Sequence, residues 1–316
     1  MYVWRGCAEV PADLPPTSVA VGVFDGVHRG HRILIDRVVS DAAAPAPGAP
    51  LMPVVITFDP HPLVVIRPDI APPMLTSIPH RLELFEAAGL AGVLVIQFTP
   101  ELARERAEHF AARVLAGTLH AEHVVVGRNF RFGHRAAGDA VLLTELGREL
   151  GFDVSVVDLE PLHSAAPVSS TAVRQLVAAG DVAAAADALG RPHRVSGMVV
   201  VGDRRGRELG YPTANIAAPE SIAVPADGVY AGRFRVEGGP WRPAAISVGT
   251  NPTFDGSGRR VEAFVLDAPP DYDVYDEMVD VEFIERIRPM VRFDSVAALV
   301  SQMAEDVARS REILIG

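Results

Sequence analysis

Gly22-Val23-Phe24-Asp25-Gly26-Val27-His28-Arg29-Gly30-His31 joins an apolar strand at Val19–Phe24 to a helix whose apolar positions include Ile33, Leu34 and Val38. The first half of the chain goes on alternating apolar β-branched runs with helical patterns. Further runs fall at Val54–Phe58, Val93–Phe98, Val124–Gly127 and Val154–Leu159, and that order predicts a parallel sheet flanked by helices. Between them, Thr99-Pro100-Glu101 predicts an N-cap with proline at N1, Gly117 a C-cap, and Asp139–Gly151 a second capped helix. The stretch Ala42–Pro50, built from Ala, Pro and Gly, has neither period and predicts a mobile surface loop.

Two short helices follow, Ser170–Ala179 closed by Gly180, and Val182–Leu189 opened by Asp181 and closed by Gly190. The pattern then changes. Short strands at Val195–Val201, Tyr230–Val236, Ala244–Val248, Val261–Leu266 and Val279–Ile284, separated by Gly, Pro and Asp turns, predict a small antiparallel barrel. A last helix, Val296–Arg309 with Ser295 near its N-cap, places Leu299, Met303 and Val307 on one face, suited to packing across that barrel. The fold class is therefore α/β followed by β: a Rossmann-like parallel-sheet domain at 1–186 and a barrel domain with a C-terminal helix at 187–316. At 316 residues the length also favours roughly two domains.

Composition removes several function classes. The net charge of −11 opposes attraction to phosphate backbones and anionic lipid, so neither nucleic acid nor membrane is expected as a partner. Every basic residue is arginine, which leaves no lysine for a Schiff base or a Walker A loop. Phosphates must meet arginine, histidine or backbone amides. Cys7 stands alone, excluding intrachain disulfides, Cys-x-x-Cys redox chemistry and thiolate zinc clusters, and fits a reducing cytoplasm. The N-terminus lacks a signal-peptide h-region, and the longest apolar run, Ala87–Ile96, falls far short of the ~20 residues of a membrane span. A soluble, cytoplasmic protein is expected. Homo-oligomerisation stays open.

His28 and His31 lie three apart at a helix start, where free backbone N–H groups and the positive dipole end favour anions and Gly30 permits close approach. Imidazoles there can hydrogen-bond the phosphate oxygens of a nucleotide and offset charge growing on a departing pyrophosphate. The alternatives are two unrelated surface histidines or a metal site, the latter without a His-Glu-x-x-His helix or a nearby cysteine. Val168-Ser169-Ser170-Thr171-Ala172-Val173-Arg174 opens another helix with hydroxyls in its first turn and an arginine one turn in. It suits the far end of a triphosphate, although an ordinary Ser/Thr cap reads the same way.

The His-x-Gly-His turn, Thr57-Phe58-Asp59-Pro60-His61-Pro62, Gly127-Arg128-Asn129-Phe130-Arg131-Phe132-Gly133, and Ser169-Ser170-Thr171 with Arg174 together resemble the adenylyltransferase half of the bifunctional riboflavin kinase/FMN adenylyltransferase family, bacterial FAD synthetase. The resemblance implies an α/β nucleotidyltransferase fold in which FMN phosphate attacks the α-phosphorus of ATP in line, with magnesium present and no covalent enzyme intermediate. It implies that His28 and His31 bind ATP phosphates as catalytic groups within a turn that includes Gly22, Phe24 and Gly30. Ser169, Ser170, Thr171 and Arg174 would close on the triphosphate, Asn129 would hold the flavin side, and Asp59 and His61 would line the same cleft. Read without the family, Asp59 and His61 belong to a turn fixed by Pro60 and Pro62.

The second half opens with Gly202-Asp203-Arg204-Arg205-Gly206-Arg207-Glu208-Leu209-Gly210-Tyr211-Pro212-Thr213-Ala214-Asn215. Glycines at 202, 206 and 210 permit a phosphate-wrapping loop, and arginines supply charge. Thr213 and Asn215, two apart in an extended segment, point to one side and offer oxygens to a hard cation such as Mg²⁺. A Gly/Pro-rich strand connection is the plain alternative. Gly-x-Pro-Thr-Ala-Asn, Asp227-Gly228-Val229-Tyr230-Ala231-Gly232, Asn251-Pro252-Thr253-Phe254 and Glu262 in a strand resemble the riboflavin kinase module of the same family. This implies that Gly202, Gly206, Arg207 and Gly210 bind phosphates, Thr213 and Asn215 bind magnesium and ATP, and Glu262 is the general base on the ribityl 5′-hydroxyl. Arg288 is a weaker candidate for the flavin edge. Read alone, Glu262 is an outward strand carboxylate paired with Arg259 or Arg260. Lysines common in such sequences stand here as Arg204 and His134. The implied substrates and products are riboflavin, FMN, FAD and ATP. Two other functions stay open: adenylyl or cytidylyl transfer to another acceptor, and a flavin carrier without ATP turnover.

Overall fold

The computed structural model describes residues 1–43, 50–158, 168–202, 209–250, 259–269 and 272–316. The expected loop at Ala42–Pro50 lies mostly outside the described residues. The chain forms two compact units, Met1–Pro72 with Ser77–Val168, and Pro73–Thr76 with Ser169–Gly316.

In the first unit, strands β1 (Tyr2–Trp4), β2 (Thr17–Val21), β3 (Met52–Asp59), β4 (Gly92–Gln97), β5 (Ala121–Gly127) and β8 (Asp153–Val157) make a six-stranded sheet in the order β1-β4-β3-β2-β5-β8. Every neighbouring pair is parallel. A separate ribbon pairs β6 (Arg131–Phe132) with β7 (Gly138–Asp139). The period-two alternation sorts side chains onto two covered faces, as an all-parallel sheet requires. Ala20, Val55, Val93 and Val125 pack with Leu34, Ile35 and Val38 of α1 (Arg29–Ala43) and, beyond the short α2 (Pro62–Ile66), with Phe85 of α3 (Ile78–Ala87). On the other face Val19, Val54, Ile56 and Val124 pack with Phe110 of α4 (Ala107–Phe110), Val114 of the π-helical turns Ala111–Ala116 that continue it, and Leu143 of α5 (Ala140–Leu150). Asp139 Oδ1 accepts the Leu142 amide at 2.9 Å and Gly151 closes α5 at φ 87°, the expected caps.

The cap expected at Thr99 forms, with Leu102 N donating to its hydroxyl at 3.2 Å, but it opens only a 3₁₀ turn at Leu102–Arg104. The Glu105 carbonyl turns out to accept the His134 amide at 2.8 Å, so the helix starts afresh at Ala107. A tertiary contact overrides local propensity here.

Six strands of the second unit, β9 (His193–Val200), β10 (Ala214–Ala217), β11 (Gly228–Val236), β12 (Arg242–Thr250), β13 (Arg259–Val265) and β14 (Met278–Arg288), close an antiparallel barrel in the order β10-β13-β12-β11-β14-β9. Its interior holds Val195, Val199, Ile216, Tyr230, Phe234, Ile246, Val261 and Phe283. Helices α6 (Ser170–Ala179) and α7 (Val182–Leu189) carry the expected caps, and Val182 of α7 joins the barrel core. The C-terminal helix α8 (Val296–Ile315), capped by Ser295, packs on β11, β12 and β14. The expected face, Leu299, Met303 and Val307, is partly buried, and the buried positions of the helix are Asp306 and Ser310. Pro73–Thr76 joins this unit as a strap: Met74 N donates to Ser221 O at 2.7 Å, Ala223 N to Met74 O at 2.8 Å, and Arg174 Nε to Pro73 O at 2.8 Å.

Candidate active sites

Strand order places the first site. The chain runs β2-β3-β4 toward one edge of the sheet and then returns to β5 on the other side of β2, so the crevice of this α/β sheet opens at the carboxyl ends of β2 and its neighbours. The histidine turn leaves β2, Asp59 and His61 follow β3, and Asn129 follows β5. These sequence-predicted residues therefore share one edge.

His28 is the N-cap of α1. Its Nδ1 accepts the His31 amide at 3.3 Å, and its carbonyl accepts the Arg32 amide at 3.0 Å. A nitrogen that accepts carries no proton, which leaves Nε2 as the ring's donor. A Cβ at Gly30 would sit 3.1 Å from His28 Cε1, so the bare Cα makes room for this ring. The two imidazoles stack at 3.6 Å between centroids, and the Phe24 ring meets His31 edge-on at 5.2 Å. Burial first, then the His28 ring and the Arg81 charge, push His31 well below the ordinary imidazole range, so it is neutral at pH 7. Its Nδ1 is buried without a hydrogen-bond partner among the described residues.

The turn itself is strained. Phe24 has φ 53° and Val27 φ 40°, conformations that cost of order 1–3 kcal/mol each and persist only under external support. Support comes from Phe85, edge-on to Phe24 at 5.8 Å, and from Arg81 of α3, whose Nη1 donates to Val23 O at 2.9 Å and to Thr57 Oγ1 at 3.1 Å. Arg81 Nη2 lies 3.8 Å from Asp25 Oδ1, both side chains 2% exposed. Sequence reasoning passed over Arg81, yet its spacing with Phe85 and Ala88 sets an arginine on the apolar stripe of a helix, which is a legible signal. Around this turn, Gly22 N donates to Ile56 O at 3.1 Å, and His61 Nδ1 caps α2 by accepting the Leu63 amide at 3.1 Å. Asp59 is exposed, as is Asn129, which sits in the turn before the stacked Phe130 and Phe132 rings.

In the second unit Ser169 Oγ caps α6 by accepting the Ala172 amide at 3.2 Å, Thr171 is exposed in the first turn, and Arg174 is tied to the strap. On the barrel, β10 pairs with β13 so that Asn215 stands directly opposite Glu262, and β12 sets Ser247 on Glu262's other side. Alternation buries Ala214, Ile216, Val261 and Ala263 inside and turns Asn215, Glu262 and Ser247 to the outer wall, with Thr213 two residues ahead on the same side. Phe264 and Tyr211 continue this face, with rings 5.3 Å apart. A Cβ on Gly202 would fall 2.3 Å from Asn215 Nδ2 and 2.6 Å from its Oδ1, so any side chain here would displace the Asn215 amide. Gly210, at φ 86°, has the left-handed backbone that favours glycine. Gly206, Arg207, Arg204 and Asn251-Pro252-Thr253-Phe254 lie outside the described residues.

Of the partners considered for Glu262, Arg259 is held by Asp227 at 3.2 Å and by the carbonyls of Val224 and Pro225. Arg288 makes a two-pronged pair with the buried Asp306 of α8, at 2.8 and 2.7 Å. No group of three or more His, Cys, Asp or Glu side chains suited to a metal comes together among the described residues. The Thr213 hydroxyl and the Asn215 amide oxygen form instead a sparse, hard donor set, which fits a magnesium ion that keeps water and phosphate oxygens as its remaining ligands.

A parallel-sheet unit with a helix-capping histidine pair is thus followed by a barrel with a Thr-x-Asn/Glu wall. The FAD synthetase family profile matches residues 10–172 and the riboflavin kinase profile residues 189–314. Proteins named bifunctional riboflavin kinase/FMN adenylyltransferase are similar along nearly the whole chain: that of Escherichia coli (strain K12) is 35% identical, covering 93% of this chain and 91% of its own length. The Listeria monocytogenes protein is 34% identical with the same coverage. A crystal structure described as a macrolide-efflux protein from Streptococcus pneumoniae superposes with TM-score 0.85 at 32% identity, covering 98% of each chain. No helix among the described residues is long and apolar enough to cross a membrane. The chain belongs to the bifunctional riboflavin kinase/FMN adenylyltransferase family.

Proposed function

We propose that residues 187–316 phosphorylate riboflavin to FMN and that residues 1–186 join FMN to the adenylyl group of ATP, giving FAD and pyrophosphate. The family profiles end at 172 and begin again at 189, which supports this division of labour. The compact units divide earlier because α7 packs on the barrel and α6 packs on α7.

In the kinase reaction the Glu262 carboxylate accepts the proton of the ribityl 5′-hydroxyl as that oxygen attacks the γ-phosphorus. Thr213 and Asn215 hold magnesium with the ATP phosphates, and Gly202, Gly206, Arg207 and Gly210 wrap them. Magnesium, when bound, neutralises charge on the transferring phosphoryl group. In adenylyl transfer the FMN phosphate is already anionic near neutral pH and needs no base. His28 Nε2–H and the neutral His31 donate to phosphate oxygens of ATP and stabilise the departing pyrophosphate, with Ser169, Ser170, Thr171 and Arg174 on the triphosphate. Asp59, His61 and Asn129 serve the flavin side, and Arg288, through its pair with Asp306, orders the flavin edge of the barrel. The protein works in the cytoplasm on diffusible small molecules.

The observation that carries the reading is the strand register that sets Glu262 against Asn215. Glu262→Gln tests it. FMN formation from riboflavin should fall about 1,000-fold, within the range of general-base catalysis, while supplied FMN is still converted to FAD. Loss of both activities in a folded variant would overturn the assignment.

A further inference from the structure

Behind the histidine turn lies a buried polar knot that the proposed reactions do not use. Arg81 is 1% exposed and sends its Nη1 to Val23 O at 2.9 Å and to Thr57 Oγ1 at 3.1 Å, while Thr57 Oγ1 itself donates to Val23 O at 2.9 Å. Val23 is thus held by its carbonyl from α3 and β3 together, immediately before Phe24, whose φ of 53° no unsupported phenylalanine would keep. The turn then runs to His28, the cap of α1. A buried charge is expensive, and Asp25 at 3.8 Å, with Asp59 further off, offsets only part of the cost of placing this one beside His31.

We infer that Arg81 is a positioning residue for adenylyl transfer: by holding Val23 and Thr57 from behind, it fixes the strained turn that aims His28 and His31 at the phosphates. This rests on the proposed role of the histidine pair. It also has an electrostatic consequence. The groups facing His31 are His28 on its own helix, the Phe24 ring from the turn, and Arg81 from α3, with Asp25 and Asp59 beside Arg81. The Arg81 charge adds to burial and to the His28 ring in holding the imidazole unprotonated, so that removing it moves the acid limit of the reaction.

Arg81→Met, Arg81→Lys and Thr57→Val test the inference, each assayed for FAD formation from FMN and for riboflavin phosphorylation in the same full-length protein. Thr57→Val leaves the charge in place and keeps the test decisive if Arg81→Met does not fold. All three should lower kcat for FAD formation by about 10- to 100-fold, the penalty for misplacing reacting groups by about an ångström or less, with kinase activity unchanged. In Arg81→Met the acid limb of the kcat profile should also move to higher pH, and the ¹⁵N titration of the His31 ring with it; in Arg81→Lys both should stay. Wild-type kcat in Arg81→Lys and Thr57→Val, or a limb that does not move in a folded Arg81→Met, overturns the inference. His28→Ala separates the two levels: if it keeps full activity, the histidine reading itself fails, and if it is inactive while the Arg81 and Thr57 variants are normal, only the positioning role fails.

Discussion

Gly202→Ala is a one-carbon change whose cost follows from the barrel wall. The new Cβ would fall 2.3 Å from Asn215 Nδ2, 2.5 Å from Cγ and 2.6 Å from Oδ1, whereas ordinary contacts begin near 3.4 Å. Relief requires the Asn215 amide to retreat by about 1 Å, a displacement that costs on the order of 100-fold in rate when the moved group aligns reactants. That factor corresponds to about 2.7 kcal/mol of transition-state stabilisation. Asn215 lies on β10, with its backbone paired to Val200 and Glu262, so the strand is fixed and the side chain must yield. With FMN and FAD separated after incubation with riboflavin and ATP, the variant should make FMN about 100-fold more slowly and need more magnesium for half-maximal rate. Supplied with FMN, it should make FAD at the wild-type rate. A folded Gly202→Ala that phosphorylates riboflavin at the wild-type rate would refute both the placement of the amide and its part in the reaction.

Asp306→Ala removes one partner of the buried pair with Arg288 and should cost about 3 kcal/mol in denaturant-induced unfolding of the barrel unit, because it leaves a guanidinium partly buried and uncompensated. Acid should also weaken the fold through His31. Its folded pKa lies below the unfolded value of about 6.5, so the unfolded chain binds the extra proton and stability falls as pH drops from about 6.5 toward the folded value. The slope is at most about 1.4 kcal/mol per pH unit, and His31→Gln should remove this contribution from unfolding curves measured between about pH 7.5 and 5.5. No change in slope would show that His31 is not held neutral.

Most of the architecture was legible because its strands are long apolar runs and its helices carry side-chain caps: Asp139, Asp181, Ser169 and Ser295 each accept the amide that their sequence position predicts. The strands that escaped are short. Tyr2–Trp4 has three residues, and Ala214–Ala217 is hidden in a Gly- and Pro-rich stretch where turn composition outweighs β-propensity. The site divides in the same way. His28, His31, Thr213 and Asn215 stand out by residue type and spacing, and Glu262 only by family resemblance, but the role of His28 as a helix cap and the opposition of Asn215 to Glu262 depend on ring orientation and strand register, which no local pattern encodes. Arg81 was missed because nearly sixty positions separate it from Val23, the group it holds.

The Pro73–Thr76 strap means that the barrel unit is not a continuous stretch of chain. A fragment begun at Ser169 would leave the Ser221 carbonyl and the Ala223 amide without their bonds to Met74, and Arg174 without the Pro73 carbonyl. Anyone excising this half as a stand-alone catalyst would do well to graft the tetrapeptide back, because what looks in the sequence like an internal link of the first half is a missing rung of the second.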